Sequence, residues 1–305
     1  MTQLRFDDRV AVITGAGRGL GRAYAELLAA RGARVVVNDP GGTLRGDEHG
    51  EDVAAEVVRA IREFGGAAVA STDSVATPAG GQAIIDTALN TFGRLDILIH
   101  NAGTVRPGSL SELSFEDFEA VLDVHLRGAF HVVRAAFPQM SAAGYGRVVL
   151  TSSIGGLYGN QRVANYAVAK SAMIGLSNVV ALEGAAVGVR SNVIVPAALT
   201  RMAEGIDTSA YPPMQPELVA PAVGWLAHES CSISGEMLVA IAGRVARAYI
   251  AETPGVYRPS WTIEQIAEHI AGIRDTAGDA WILPVVPSAH IDHIVKSFAL
   301  ATEGK

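Results

Sequence analysis

Tyr166 and Lys170 stand four residues apart in Asn165-Tyr166-Ala167-Val168-Ala169-Lys170, and Ser153 precedes the tyrosine by thirteen residues. In a helix, an i, i+4 pair shares one face, so the phenol and the ammonium enter the same space. A free phenol titrates near ~10 and is a poor base at neutral pH. A neighbouring ammonium favours the phenolate, so Lys170 is expected to lower the Tyr166 pKa and make it a general acid/base. Ser153 ends the run Leu150-Thr151-Ser152-Ser153, where a hydroxyl can hold a substrate oxygen. The chemistry this set suits is proton transfer at a carbinol or carbonyl. Lys170, Lys296 and Lys305 are the chain's lysines, and every other cationic residue is arginine. Lysine at 170 matters because it can shift its pKa, whereas arginine keeps its proton.

Such a set needs a scaffold that brings distant segments to one crevice. Short β-branched runs at Val10–Thr14, Arg34–Asn38, Ala67–Ser71, Leu95–His100, Arg147–Thr151, Ser191–Val195 and Met237–Ala242 alternate with helical patterns such as Gly21–Arg31 and Gly50–Phe64. Strict alternation predicts an α/β fold: one doubly wound Rossmann domain over residues 1–243, with a seven-stranded parallel sheet covered on both faces. Residues 244–305 are expected to form an extension packed on it, with a helix at Ile263–Arg274 opened by Thr262 and Gln265 at capping-box spacing. The proline-bearing segment Arg201–Pro216 follows the sixth strand, where loops line the ligand crevice, and is expected to act as a substrate lid.

The first strand runs into Thr14-Gly15-Ala16-Gly17-Arg18-Gly19-Leu20-Gly21. Glycines let a pyrophosphate approach the backbone, and the helix N-terminus offers free N–H groups. Leu20 falls where a G-x-G-x-x-G turn would place its third glycine, but Gly15, Gly19 and Gly21 fit G-x-x-x-G-x-G. Asp39 follows 18 residues after Gly21. A carboxylate there accepts from the ribose hydroxyls and repels a 2′-phosphate, which predicts NAD. Arg18 is a competing signal, since a basic residue in the turn suits a 2′-phosphate.

With these motifs, and with Asn101-Ala102-Gly103 after the fourth strand, the sequence resembles the short-chain dehydrogenase/reductase family over residues 5–243. The resemblance implies that Ser153 orients the substrate, Tyr166 transfers the proton, and Lys170 supports it and reaches the nicotinamide ribose. It also implies that Gly15, Arg18, Gly19, Leu20, Gly21, Asp39, Asp73, Ser74, Asn101, Ala102, Gly103, Pro196 and Thr200 contact the cofactor, with Asp73 near the adenine and Thr200 at the carboxamide. Two positions depart from the family pattern: His125 stands where a fourth catalytic residue is usually asparagine, and Pro196-Ala197 replaces Pro-Gly. A structural role is expected for His125. Asn38-Asp39 before Gly41-Gly42, His125-Leu126-Arg127-Gly128, Tyr158-Gly159-Asn160 and His228-Glu229-Ser230-Cys231 resemble the branch of the family that oxidises (3R)-hydroxyacyl-CoA. Arg106, Arg162 and Arg201 are candidates for the carrier's phosphates, though each also reads as a surface arginine.

The formal net charge of −7 argues against nucleic acid or an anionic membrane as partner. Uncharged stretches such as Ser171–Leu182 are too short to span a bilayer. The single cysteine, Cys231, is expected to be buried and inert, and the reducing cytoplasm is the expected location. The residues Thr302-Glu303-Gly304-Lys305 are not a peroxisomal address. The helix bearing Tyr166 is apolar nearly all round, which predicts a homodimer or homotetramer. Three readings follow: an NAD-dependent hydroxyacyl-CoA or hydroxysteroid dehydrogenase, an NADPH-dependent acyl-carrier-protein reductase, and a cofactor-binding sensor without turnover.

Overall fold

The computed structural model describes residues 3–46, 52–200, 210–282, 284–286 and 288–303. The chain divides into two compact units, Met1–Arg247 and Ala248–Lys305. The expected lid lies mostly at 201–209, and with it Arg201; these fall outside the described residues, as does the start proposed for the second helix at Gly50.

In the first unit, strands β1 (Val10–Thr14), β2 (Arg34–Asn38), β3 (Ala67–Ser71), β4 (Ile97–His100), β5 (Gly146–Thr151), β6 (Val189–Ala197), β7 (Met237–Ile241) and β8 (Arg244–Ala248) form one sheet in the order β3-β2-β1-β4-β5-β6-β7-β8. The pairings from β3 through to β7 are parallel. The eighth strand is a correction to the expected seven. Ala242 and Gly243 both adopt positive φ, the conformation a tight two-residue hairpin demands, so the chain turns back after Ile241 and adds a strand. Its residues are exposed or half-buried, so Arg244–Ala248 lacks the apolar run that marks the inner strands.

Those inner strands are apolar on both faces because both are covered. Ala11 and Ile13 of β1 pack into a core with Tyr24, Leu28, Ile61 and Leu226, while Val10 and Val12 point into a second core with Ile84, Ile85, Met140 and Met173. The first core lies under helices α1 (Gly19–Ala30), α2 (Val53–Glu63) and α8 (Ala220–Ala227). The second lies under α3 (Pro78–Phe92), α5 (Gly128–Ala143) and α7 (Ala164–Gly184). Between β4 and α5, α4 (Phe115–Leu122) runs into a π-helical stretch, Asp123–Arg127. Strand order reverses between β1 and β4, which opens the crevice at their carboxyl ends.

The second unit carries α9 (Ile263–Ile273), whose capping box has the Thr262 hydroxyl and the Gln265 side chain each accepting the other residue's main-chain N–H, as the sequence predicts. α10 (Ala289–Glu303) follows. Among the described residues, no helix is long and apolar enough to cross a membrane.

Candidate active site

The crevice has a dinucleotide end and a reacting end. At the first, β1 ends on Thr14, a buried polar residue after four apolar ones. Its hydroxyl oxygen accepts the main-chain N–H groups of Asn101 and Ala102, each at 3.1 Å. Asn101 returns its side-chain amide to the carbonyls of Thr14 (3.3 Å) and Gly15 (3.0 Å). The glycine turn is thereby pinned to the end of β4. Gly15 has φ +63°, and a Cβ there would lie 2.7 Å from Ala102 Cα; a Cβ on Gly21 would lie 2.2 Å from the Gly15 carbonyl. The spacing read in the sequence is therefore a steric requirement of the turn. α1 opens on this turn at Gly19 with its N–H groups towards the cleft, the arrangement that accepts a phosphate.

Beside the turn lies a cleft of about 210 Å³. Among its lining residues are Gly15, Arg18, Gly19, Leu20, Asp39, Ser74, Asn101, Ala102, Gly103 and Thr200. Asp39 accepts from Gly17 N at 3.0 Å with one carboxylate oxygen and from Gly41 N at 2.9 Å with the other. It is thus fixed beneath the turn, and each oxygen keeps a further lone pair. Asn38 and Thr104 also line the cleft, and buried Asn38 Oδ1 and Thr104 Oγ1 find no partner among the described residues. A glycine cradle, a helix N-terminus, an anchored carboxylate and unpartnered polar atoms together fit a dinucleotide. Asp73 sits one step back: its carboxylate accepts from Ser71 and its carbonyl from the Asn38 amide. Gly21 is buried behind Gly15, and Pro196 lies within β6, opposite Ala240 of β7.

At the reacting end, Ser153 follows β5 and caps α6 (Ile154–Tyr158), its oxygen accepting from Gly155 N at 3.1 Å. Tyr166 and Lys170 lie in successive turns of α7. Lys170 is 3% exposed; its ammonium donates to the Thr151 carbonyl at 2.7 Å and stands 5.7 Å from the centre of the Tyr166 ring. Burial pushes the lysine pKa down to about 7. Burial also raises the Tyr166 phenol above its ordinary range, and a hydrogen bond with the Ser153 side chain works against that. The expected lowering of the phenol does not appear: the ammonium donates to a main-chain carbonyl of β5, and burial is the largest influence on the ring.

Two buried histidines stand behind this pair. Thr14 Oγ1 has taken two N–H donors, so it donates its own proton to His100 Nδ1 at 3.1 Å. That leaves the His100 proton on Nε2, donated to the carbonyl of His125 at 3.2 Å. Burial, then the charge of Lys170, lowers His100 to about 3. His125 enters from the π-helical stretch, a device common at functional sites. Its ring meets Tyr166 edge-on with centroids 5.2 Å apart, and its Nε2 lies 2.9 Å from Thr104 N and 2.8 Å from Thr104 O. Burial and Lys170 hold its pKa well below the usual range, so it stands there neutral.

Sequence reasoning passed over His100, Asn165 and Asp117. Asp117 accepts from both Arg106 and Arg45, and Arg106 also donates to the Arg45 carbonyl, so Arg106 is engaged within the protein. Arg162 holds a positive φ, and its carbonyl accepts from Gly108 N. Cys231 is buried, as expected, and burial raises its thiol.

A sequence profile described as short chain dehydrogenase matches residues 9–209. The chain is 47% identical over 279 residues to peroxisomal multifunctional enzyme type 2 of Drosophila melanogaster, covering 90% of this chain and 46% of that protein. The full-length structure of the fly enzyme superposes with a TM-score of 0.80 at 38% identity, over 98% of this chain and 50% of that one. The chain thus spans about half the length of this relative. A 7α-hydroxysteroid dehydrogenase complexed with NADH and 7-oxo glycochenodeoxycholic acid gives a TM-score of 0.72 at 28% identity, over 80% and 98% of the two chains. Fold, profile and site chemistry converge: the chain belongs to the short-chain dehydrogenase family and is a nicotinamide-dependent oxidoreductase acting on the CH–OH group of a small molecule.

Proposed function

We propose that this chain oxidises a (3R)-3-hydroxyacyl-CoA, with a fatty or steroid side chain, to its 3-oxo form, using NAD. The observation that carries the reading is the grouping of three side chains: buried Lys170 stands 5.7 Å from the centre of the Tyr166 ring, and a Cβ on Gly155 would lie 3.7 Å from Ser153 Oγ and 3.8 Å from the Tyr166 ring. Ser153 orients the substrate oxygen, Tyr166 takes the substrate proton on Oη in its ionised form and is thereby returned to the neutral phenol, and Lys170 stands behind the ring as a cation whose charge responds to pH near neutrality. The dinucleotide, when bound, supplies the hydride acceptor. Asp39 beneath the glycine turn supports NAD; Arg18 in the same cleft supports the runner-up, an NADPH-dependent acyl-carrier-protein reductase, beside which a hydroxysteroid dehydrogenase stands as the other alternative. The acyl-CoA class rests on the motif likeness around Asn38-Asp39 and His125-Leu126-Arg127-Gly128, together with 47% identity to the fly multifunctional enzyme. A homo-oligomer fits the outer face of α7, where Val168 and Val179 are each 49% exposed.

The test is NADH formation from R- and S-3-hydroxyacyl-CoA of several lengths, beside free steroid alcohols and acyl-carrier-protein esters, with each cofactor. Turnover of R thioesters with NAD is expected. Activity confined to steroids or carrier-protein esters sends the assignment to the runner-up, and preference for the S form overturns the acyl-CoA reading.

A further inference from the structure

Helix α7 begins without an ordinary cap. The residue before it is Val163, which has no side-chain acceptor, so the N–H of Tyr166 lacks the partner a serine or aspartate would supply there. Asn165 fills that role from inside the first turn. Its Oδ1 accepts from Tyr166 N at 2.8 Å. Its Nδ2 donates both hydrogens, to the carbonyls of Arg106 (3.0 Å) and Asp117 (3.1 Å). The side chain is fully buried, so each of these bonds stands where water cannot replace it.

The two carbonyls belong to different elements. Arg106 lies in the segment after Asn101-Ala102-Gly103, and Asp117 lies in the first turn of α4. The Arg106 guanidinium donates to Asp117 Oδ1 (3.0 Å) and to the Arg45 carbonyl (2.8 Å), which ties in the loop that follows Asp39. Gly108 N donates to the Arg162 carbonyl at 2.8 Å and secures the chain just before the helix. The residue that carries the phenol is thus held through its own amide by one asparagine. That asparagine is anchored to α4 and to the segment that follows β4.

We propose that Asn165 is a positioning residue: its three hydrogen bonds set the first turn of α7 so that the Tyr166 hydroxyl meets Ser153 and the substrate oxygen. The proposal rests on the reading of Tyr166 as the proton-transfer group. A displacement of the phenol by about 1 Å is enough to cost on the order of a hundredfold in rate. Replacement by aspartate keeps the shape and the acceptor for Tyr166 N–H, but turns two donors into acceptors facing two carbonyls. Only the protonated acid regains one donor, so this variant should improve as pH falls.

The test uses the full chain and compares Asn165→Ala, Asn165→Asp and Tyr166→Phe by kcat, KM, NADH affinity from fluorescence titration, thermal melting, and kcat against pH. Expected for Asn165→Ala is a roughly 10- to 100-fold fall in kcat, with KM and NADH affinity within about threefold of wild type. Expected for Asn165→Asp is a variant-to-wild-type kcat ratio that rises as pH falls. A kcat for Asn165→Ala within threefold of wild type, NADH affinity lost in step with kcat, or a pH-independent ratio in Asn165→Asp overturns the proposal. If the alanine variant does not fold, the isosteric aspartate decides through its pH ratio. Inactive Tyr166→Phe beside normal Asn165→Ala refutes the positioning role alone; normal turnover in Tyr166→Phe refutes the proposed function beneath it.

Discussion

The two ends of the crevice are built by opposite means. The dinucleotide end is made by the main chain: glycines that admit close approach, a helix N-terminus, and a threonine hydroxyl that gathers two amides from the neighbouring strand. The carboxylate of Asp39 is itself held there by two backbone N–H groups. The reacting end is made by buried and half-buried side chains whose proton affinities the protein has moved: Lys170 to about 7, His100 to about 3, and Tyr166 above its ordinary range. A site made by the main chain fails when its shape changes. A site made by burial fails when a charge state changes, and pH should therefore act on one end far more than on the other.

The sharpest break between the ends is Tyr166→Phe. Removal of a positioned general acid/base costs roughly 100- to 10,000-fold in kcat. NADH affinity should stay within about threefold, because the turn and Asp39 are untouched. Steady-state turnover alongside fluorescence titration checks both. Loss of NADH affinity in parallel with kcat would mean that the two ends are not separable.

Next in size is Asp39→Ala, the complementary change. A charge-assisted hydrogen bond is worth roughly 1.5–3 kcal/mol, so the NAD-to-NADP ratio of kcat/KM should fall roughly 10- to 100-fold. Because Asp39 also receives Gly17 N and Gly41 N, part of the loss will appear as weaker binding of both cofactors. Asp39→Asn separates the contributions: it keeps an acceptor for one N–H and removes the charge that opposes a 2′-phosphate. An unchanged cofactor ratio in both variants removes the basis for NAD preference.

The same contrast explains what was legible in the sequence. Main-chain devices leave spacing: Gly15, Gly19 and Gly21 after a β-branched run, and Tyr166 four residues before Lys170. The inner strands were legible because residues buried on both faces form unbroken apolar runs, as in Val10–Thr14. β8 was not, because Arg-Val-Ala-Arg-Ala at a sheet edge carries no such run. Long-range side-chain bonds leave no spacing at all. His100 looks like one more polar residue ending a strand, and its partners come from β1 and the π-helical stretch. Asn165 draws its meaning from carbonyls 59 and 48 residues away. The direction of the Tyr166 pKa is illegible for a related reason: i, i+4 spacing places Lys170 near the ring, but only packing shows that its ammonium turns to Thr151 and that the ring is desolvated.

The smallest predicted effect is on stability, through His100. Its imidazole is tied to Thr14 on one side and to the His125 carbonyl on the other, and both bonds use the neutral ring. Burial holds the folded-state pKa at about 3, against 6.5 for the free side chain. Between those values the unfolded chain carries a proton here that the folded chain does not. The stabilisation is whole above pH 6.5 and is lost as pH falls towards 3. Each pH unit well inside that window is worth about 1.4 kcal/mol, and moving from pH 7.5 to 5 removes about 2 kcal/mol, or roughly thirtyfold in the folding equilibrium. Asparagine at 100 keeps a donor and an acceptor but cannot titrate. Urea unfolding at pH 7.5 and pH 5 should therefore give a smaller drop for His100→Asn than for wild type, whatever fixed cost the substitution carries at both. His125, also lowered chiefly by burial, remains in both proteins and contributes a loss to each. Equal drops would show that His100 is protonated in the folded state by pH 5. In that case the Thr14–His100–His125 chain of bonds changes with pH, and the reacting end is joined to the glycine turn through a titrating link.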